Sequence, residues 1–134
     1  IPLPGSGWTG GILESLSIES QSIYIYSYYS GANINLYRVG SKEDDEYVLD
    51  GDFADYPVSF EEISRPALME NAKILEQYAI MDGIFPTAFG RTDENGVKVF
   101  EGLIPGLYLL SFNDIEIGDE VYTNLPILVE ISEE

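Results

Sequence analysis

The stretch at residues 92–110, TDENGVKVFEGLIPGLYLL, restricts the fold of this chain more than any other. It carries two turn signals separated by a strand-like run. Asn95-Gly96 is a strong short-range hairpin signal, because a type I′ turn needs φ > 0 at both central residues and Asn and Gly tolerate that best. VKVFEGL then leads to Pro105-Gly106, and residues 107–112, Tyr108 among them, are almost all apolar. A short apolar run bounded by Pro-Gly fits a strand covered on both faces, hence a central one. The stretch predicts strand, tight turn, strand, kink and buried strand, the centre of a β-sandwich.

Elements on either side extend this reading. Residues 1–11, IPLPGSGWTGG, form a Pro/Gly-rich leader with Trp8 as its candidate anchor, and 12–134 form a single domain. Residues 12–18 read as a first, edge strand. In SIYIYSYYSG, Ile23 and Ile25 fall on one face and Tyr24, Tyr26 and Tyr28 on the other, the period-2 alternation of a half-buried strand. In ANINLYRVG, Ala32, Ile34 and Leu36 are expected inward, and Asn33, Asn35 and Tyr37 outward. KEDDE at 42–46 reads as a solvated acidic loop. Calcium prefers clustered carboxylates, but the run lacks the spacing and the glycine of an EF-hand loop. At 66–80 the period becomes helical: Leu68, Ala72, Leu75 and Ala79 share a face, with Glu70, Lys73, Glu76 and Gln77 opposite. Ser64 or Arg65 would cap this helix, and Asp82-Gly83 would stop it. A second hairpin is expected around Gly118, and a last strand at 125–131. The fold class is therefore all-β: an antiparallel two-sheet sandwich of seven or eight strands with one inserted α-helix at about 66–80.

Composition narrows the function classes. With 24 acidic residues, 6 basic ones and a net charge of −18, the chain is poorly suited to neutralising phosphates, so neither nucleic acid nor an anionic membrane surface is an expected partner. Such a charge favours a soluble monomer. The chain has no cysteine and no histidine. Thiol nucleophiles, imidazole acid–base chemistry and most zinc or iron sites are thereby removed, and no cofactor is expected. No apolar run approaches the ~20 residues that span a bilayer.

The order ANINLYRVG, DGDFADYPVSFE, helix, then DGIFPTAFGRTDENGVKVFEGLIPGLYLL resembles a Cna B-type (SpaA-like, prealbumin-like) domain over residues 22–131. The nearest likeness is to the helix-bearing N-terminal domain of Gram-positive pilin subunits. The structural signature is Asn95, Gly96, Pro105, Gly106 and Tyr108. The resemblance implies a Greek-key-like sandwich, an extracellular, cell wall-associated protein, and a stalk or adhesin module without catalysis. Its expected partners are other surface or pilus subunits, or a host or extracellular ligand.

Many such domains carry an internal isopeptide bond. Here the matching lysine position, near Ser27, has no lysine; the acidic position falls at Phe112; and residues 125–131 hold no Asn. No standard crosslink is expected. Lys98 and Asn124 would form an unusual one only if folding brought them together, and Lys98 reads as an exposed hairpin residue. The family's sortase-reactive Tyr-Pro-Lys motif is matched only as Tyr56-Pro57-Val58. Two other readings remain. The exposed tyrosines Tyr24, Tyr26, Tyr28 and Tyr29 are a candidate surface for a glycan or protein, although tyrosine stripes also serve as cross-strand cover. A carbohydrate-active enzyme would need only paired carboxylates, which this many acidic residues supply by chance.

Overall fold

A computed structural model describes residues 11–133, so the expected Trp8 anchor lies outside the described residues. Ten strands and one α-helix follow in order: β1 (Leu13–Glu19), β2 (Ser22–Ser27), β3 (Asn33–Glu43), β4 (Glu46–Leu49), α1 (Arg65–Met81), β5 (Ala88–Arg91), β6 (Val97–Phe100), β7 (Gly106–Phe112), β8 (Ile115–Ile117), β9 (Glu120–Tyr122) and β10 (Ile127–Ile131). The pairings are antiparallel. One sheet has the order β1-β2-β6. The larger runs β10-β7-β3-β4, with β5 also on β3, and β8-β9 is a separate hairpin. The architecture is mostly β with one helix, consistent with an all-β sandwich.

The larger sheet is covered on both faces. Between the two sheets, Ile23 and Ile25 of β2 meet Ile34 and Leu36 of β3, Tyr108, Leu110 and Phe112 of β7, and Ile127 and Val129 of β10. On its other face, Tyr37, Val39, Leu107, Leu109 and Leu128 meet Leu68, Ala72, Leu75 and Ala79 of α1. Alternate residues of one strand thus feed two cores, and all seven residues of β7 are buried. This bears out the buried central strand and explains why its apolar run is unbroken. Phe112 lies in the first core, 6% exposed.

The helix matches expectation within a residue. Ser64 is the N-cap, its Oγ accepting from the Ala67 amide at 3.4 Å; Pro66 sits in the first turn; and the Ile84 amide donates back to Ala79 after Gly83 turns left-handed (φ 62°).

Five local expectations are corrected. Asn95-Gly96 is not a type I′ hairpin: Gly96 has φ 80°, but Asn95 is not left-handed, and β5 pairs with β3 while β6 pairs with β2. The segment is a corner between sheets. The Asp93 carboxylate accepts from the Asn95 and Val97 amides at 2.8 and 2.9 Å, and the Gly96 amide donates to the Asp93 carbonyl at 2.9 Å. A Cβ on Gly96 would stand 2.4 Å from the Ser27 carbonyl oxygen. The two-residue turn with both residues left-handed lies instead in the acidic loop, at Asp44 (φ 52°) and Asp45 (φ 68°), which joins β3 to β4. Tyr37 faces the helix core rather than solvent, because that face of the sheet is covered. Glu76 is half-buried, its carboxylate accepting from Ser111 Oγ at 2.5 Å across the helix–sheet interface. Lys98 is also half-buried, in register with Ile25 on the core-facing side of β6, and its Nζ lies 5.0 Å from the Phe100 ring centroid.

The Pro105-Gly106 kink is held by Arg38 and Tyr108. Arg38 donates to the Pro105 carbonyl from Nη2 (3.0 Å) and Nε (3.3 Å), and from Nη1 to Asp50 (2.9 Å). The buried Tyr108 hydroxyl donates to the Ile104 carbonyl at 2.7 Å. A Cβ on Gly106 would stand 2.6 Å from Arg38 Nε, so a side chain here would displace the guanidinium from the kink.

Candidate functional site

The sequence-predicted tyrosines divide into two groups. On the outer face of the β1-β2-β6 sheet, Tyr24 is paired between Ser17 and Val99, and Tyr26 between Ser15 and Val97. These small or β-branched neighbours leave Tyr26 36% exposed and Tyr24 half-buried. Tyr28, beyond the strand end, is 63% exposed, its amide donating to the Ile12 carbonyl at 2.9 Å. Tyr29 leaves the stripe: its ring centroid is 5.2 Å from that of Tyr122 in β9. Tyr122 was not singled out from the sequence, since a single aromatic in a short hairpin carries no periodic signal. Tyr24 and Tyr26, two residues apart on β2, therefore share the outer side of this sheet.

Asn124 is buried, and its Oδ1 accepts from the Ile12 and Leu13 amides at 3.2 and 2.9 Å, while Nδ2 donates to the Leu125 carbonyl. Ser27 donates to the Ile12 carbonyl at 3.1 Å. Lys98 lies instead against Gly90, where a Cβ would meet its Nζ at 2.7 Å. The structure therefore gives Lys98 and Asn124 separate partners.

The same contacts fix the path of the chain. Gly11 donates to the Thr123 carbonyl and residues 12–13 to Asn124, just before β10. At the other end of β1, Gln21 Nε2 donates to the Ser132 carbonyl just after β10. First and last strands thus run alongside in the same direction, in different sheets, and Gly11 and Glu133 lie at opposite ends.

An open groove of about 580 Å³ lies at the end where β10 finishes, walled by Ser41 and Lys42 of β3, Tyr47 of β4, Pro105 and the Ile131–Glu133 side. Tyr47 donates to Glu130 at 2.7 Å; burial, and then this bond, push its pKa well up. Lys42 Nζ is 3.8 Å from Glu130. Burial raises the pKa of Glu76, the Ser111 bond lowers it and Asp114 raises it; that carboxylate meets Ser111 between helix and sheet, outside this groove. Among the described residues no group of three or more acidic side chains is arranged to hold a metal ion. No helix among them is long and apolar enough to cross a membrane. Tyr56 of the Tyr-Pro pair stacks on Tyr78 of α1 at 4.1 Å, and its hydroxyl donates to Asp82, pushing its pKa up to about 12.

Compared with family models, curated proteins and solved structures, the chain matches none.

Proposed function

We propose that this chain is a non-enzymatic structural or adhesive module of a cell-surface protein, a Cna B-like, Greek-key domain of a pilin or other wall-anchored protein. The observation that carries the reading is the placement of Gly11 and Glu133 at opposite ends of two strands that run the same way in different sheets. Modules joined through such ends extend in a line. Tension between them loads β1 against β2 and β10 against β7 along the strands, so that several ladder bonds share the load. The TDENGVKVFEGLIPGLYLL run, with the Arg38 and Tyr108 ties at its kink, supports the family likeness.

The test is mechanical. The chain has no cysteine, so attachment thiols can be introduced freely. Single molecules pulled through Gly11 and Glu133 should resist substantially higher force than the same protein pulled through positions 13 and 27, which peels β1 from β2. Equal rupture forces would remove the main support for a stalk role.

A second reading, a module with a specific ligand, rests on Tyr24 and Tyr26. It predicts that Tyr24→Ser with Tyr26→Ser abolishes retention on a glycan or matrix-protein array without lowering the melting temperature by more than a few degrees. Unfolding by the double variant would mark the tyrosines as packing residues.

A further inference from the structure

The groove beside β10 has the shape of a vacant strand position. In the larger sheet β7 lies between β3 and β10, pairing with β3 as far as Gly40 and with β10 as far as Ile131. There β7 begins, at Gly106, and the carbonyl of the preceding Pro105 accepts from Arg38. β3 runs three residues further, Ser41 to Glu43, paired with β4 on its far side only. Ser132 and Glu133 continue past Ile131 opposite them. Two strands flanking a missing one stand roughly 10 Å apart, the width of one added extended chain.

The ladder also shows which groups face that slot. The Asp50 amide donates to the Val39 carbonyl at 3.0 Å, so residue 39 bonds toward β4. Antiparallel residues alternate in bonding direction, and the pair closing a two-residue turn, Glu43 with Glu46, is a bonded pair. Both observations place 39, 41 and 43 toward β4. They direct the Lys42 amide and carbonyl into the slot, along the edge of β3 that extends beyond β7. The acidic side chains at its mouth, Asp44, Asp45 and Glu133, form no ion pair among the described residues, whereas the two cations of the lining are engaged, Arg38 with Asp50 and Lys42 with Glu130.

We infer that this slot binds a short extended peptide segment carrying lysine or arginine, which adds to the edge of β3 in line with β7. Backbone bonds to Lys42 supply the docking, and the carboxylates at the mouth select the positive side chains. The inference does not depend on the cell-surface reading.

The experiment titrates the 15N-labelled full chain with acetyl-Lys-Thr-Val-Thr-Lys-amide. Amide shifts should concentrate at 41–45 and 131–133. The same peptide with methylated amide nitrogens should lose binding, because it cannot complete a ladder, and a version with glutamates for lysines should also lose it. Asp44→Asn, Asp45→Asn and Glu133→Gln together should weaken the lysine peptide roughly fivefold; Asn keeps the left-handed turn. Absence of shifts at millimolar peptide, shifts centred elsewhere, or equal binding by the methylated or glutamate peptide would overturn the proposal.

Discussion

Asn124 satisfies two buried backbone donors at the start of β1 with one oxygen. Asn124→Ala should therefore destabilise the protein by roughly 2–6 kcal/mol in urea unfolding, since each of the two buried donors left alone costs about 1–3 kcal/mol. Asn124→Asp keeps the acceptor and should lose less; equal losses would show that the oxygen is not what matters. Gly96 has φ 80° and no room for a Cβ beside the Ser27 carbonyl, so Gly96→Ala should cost more than about 1 kcal/mol. Glu76 has a folded pKa raised above the ordinary 4.5. Its contribution to stability is fully present below pH 4.5 and is lost as pH rises through the raised value. Melting curves should show wild type gaining on Glu76→Gln as pH falls toward 4.5; a pH-independent difference would sink this assignment. Lys98 and Asn124 have separate partners, so the intact mass should match the sequence, without the loss of one ammonia (about 17 Da) that amide attack by lysine expels.

At the level of elements, α1 acts as the cover of a second core. Leu75 is fully buried on the larger sheet, and Leu75→Ala should cost about 2–5 kcal/mol through the cavity it leaves. Hydrogen exchange in that variant should speed up at Leu107 and Leu109, which face the helix, before it does in β1 and β2. Uniform acceleration across both sheets would mean that the two cores unfold as one. The helix was legible because its apolar period and both end signals agree. The second core was not: Tyr37 and Val39 lie on the helix side of β3, and only the docked helix distinguishes a tyrosine beneath it from one in water. The corner at 93–96 escapes local reading for a related reason. Asn-Gly marks a tight turn, but whether its flanking strands pair with each other is decided by β2 and β3, which take them into different sheets.

Over the whole molecule, a charge of −18 produces self-repulsion that compactness intensifies. Raising salt shortens the Debye length, from about 30 Å at 0.01 M to about 8 Å at 0.15 M, so the melting temperature should rise over that range. A flat or falling curve would show that the acidic groups are already compensated locally. The candidate sites divide at this scale. The Tyr24–Tyr26 face could be read from alternation alone. The slot beside Lys42 could not, because it exists only where β7 stops short of both its neighbours.

The sequence by itself determined most of the strands, though not all ten, the position of the helix, and that 107–112 must be buried on both faces, because local periodicity and turn chemistry act within a few residues. Tertiary structure alone decided which strands pair, that Asp44-Asp45 and not Asn95-Gly96 forms the tight hairpin, and that Gly11 and Glu133 end up far apart. Those outcomes depend on contacts between residues distant in the chain, such as Asn124 with Leu13 and Gln21 with Ser132, which leave no local pattern to read.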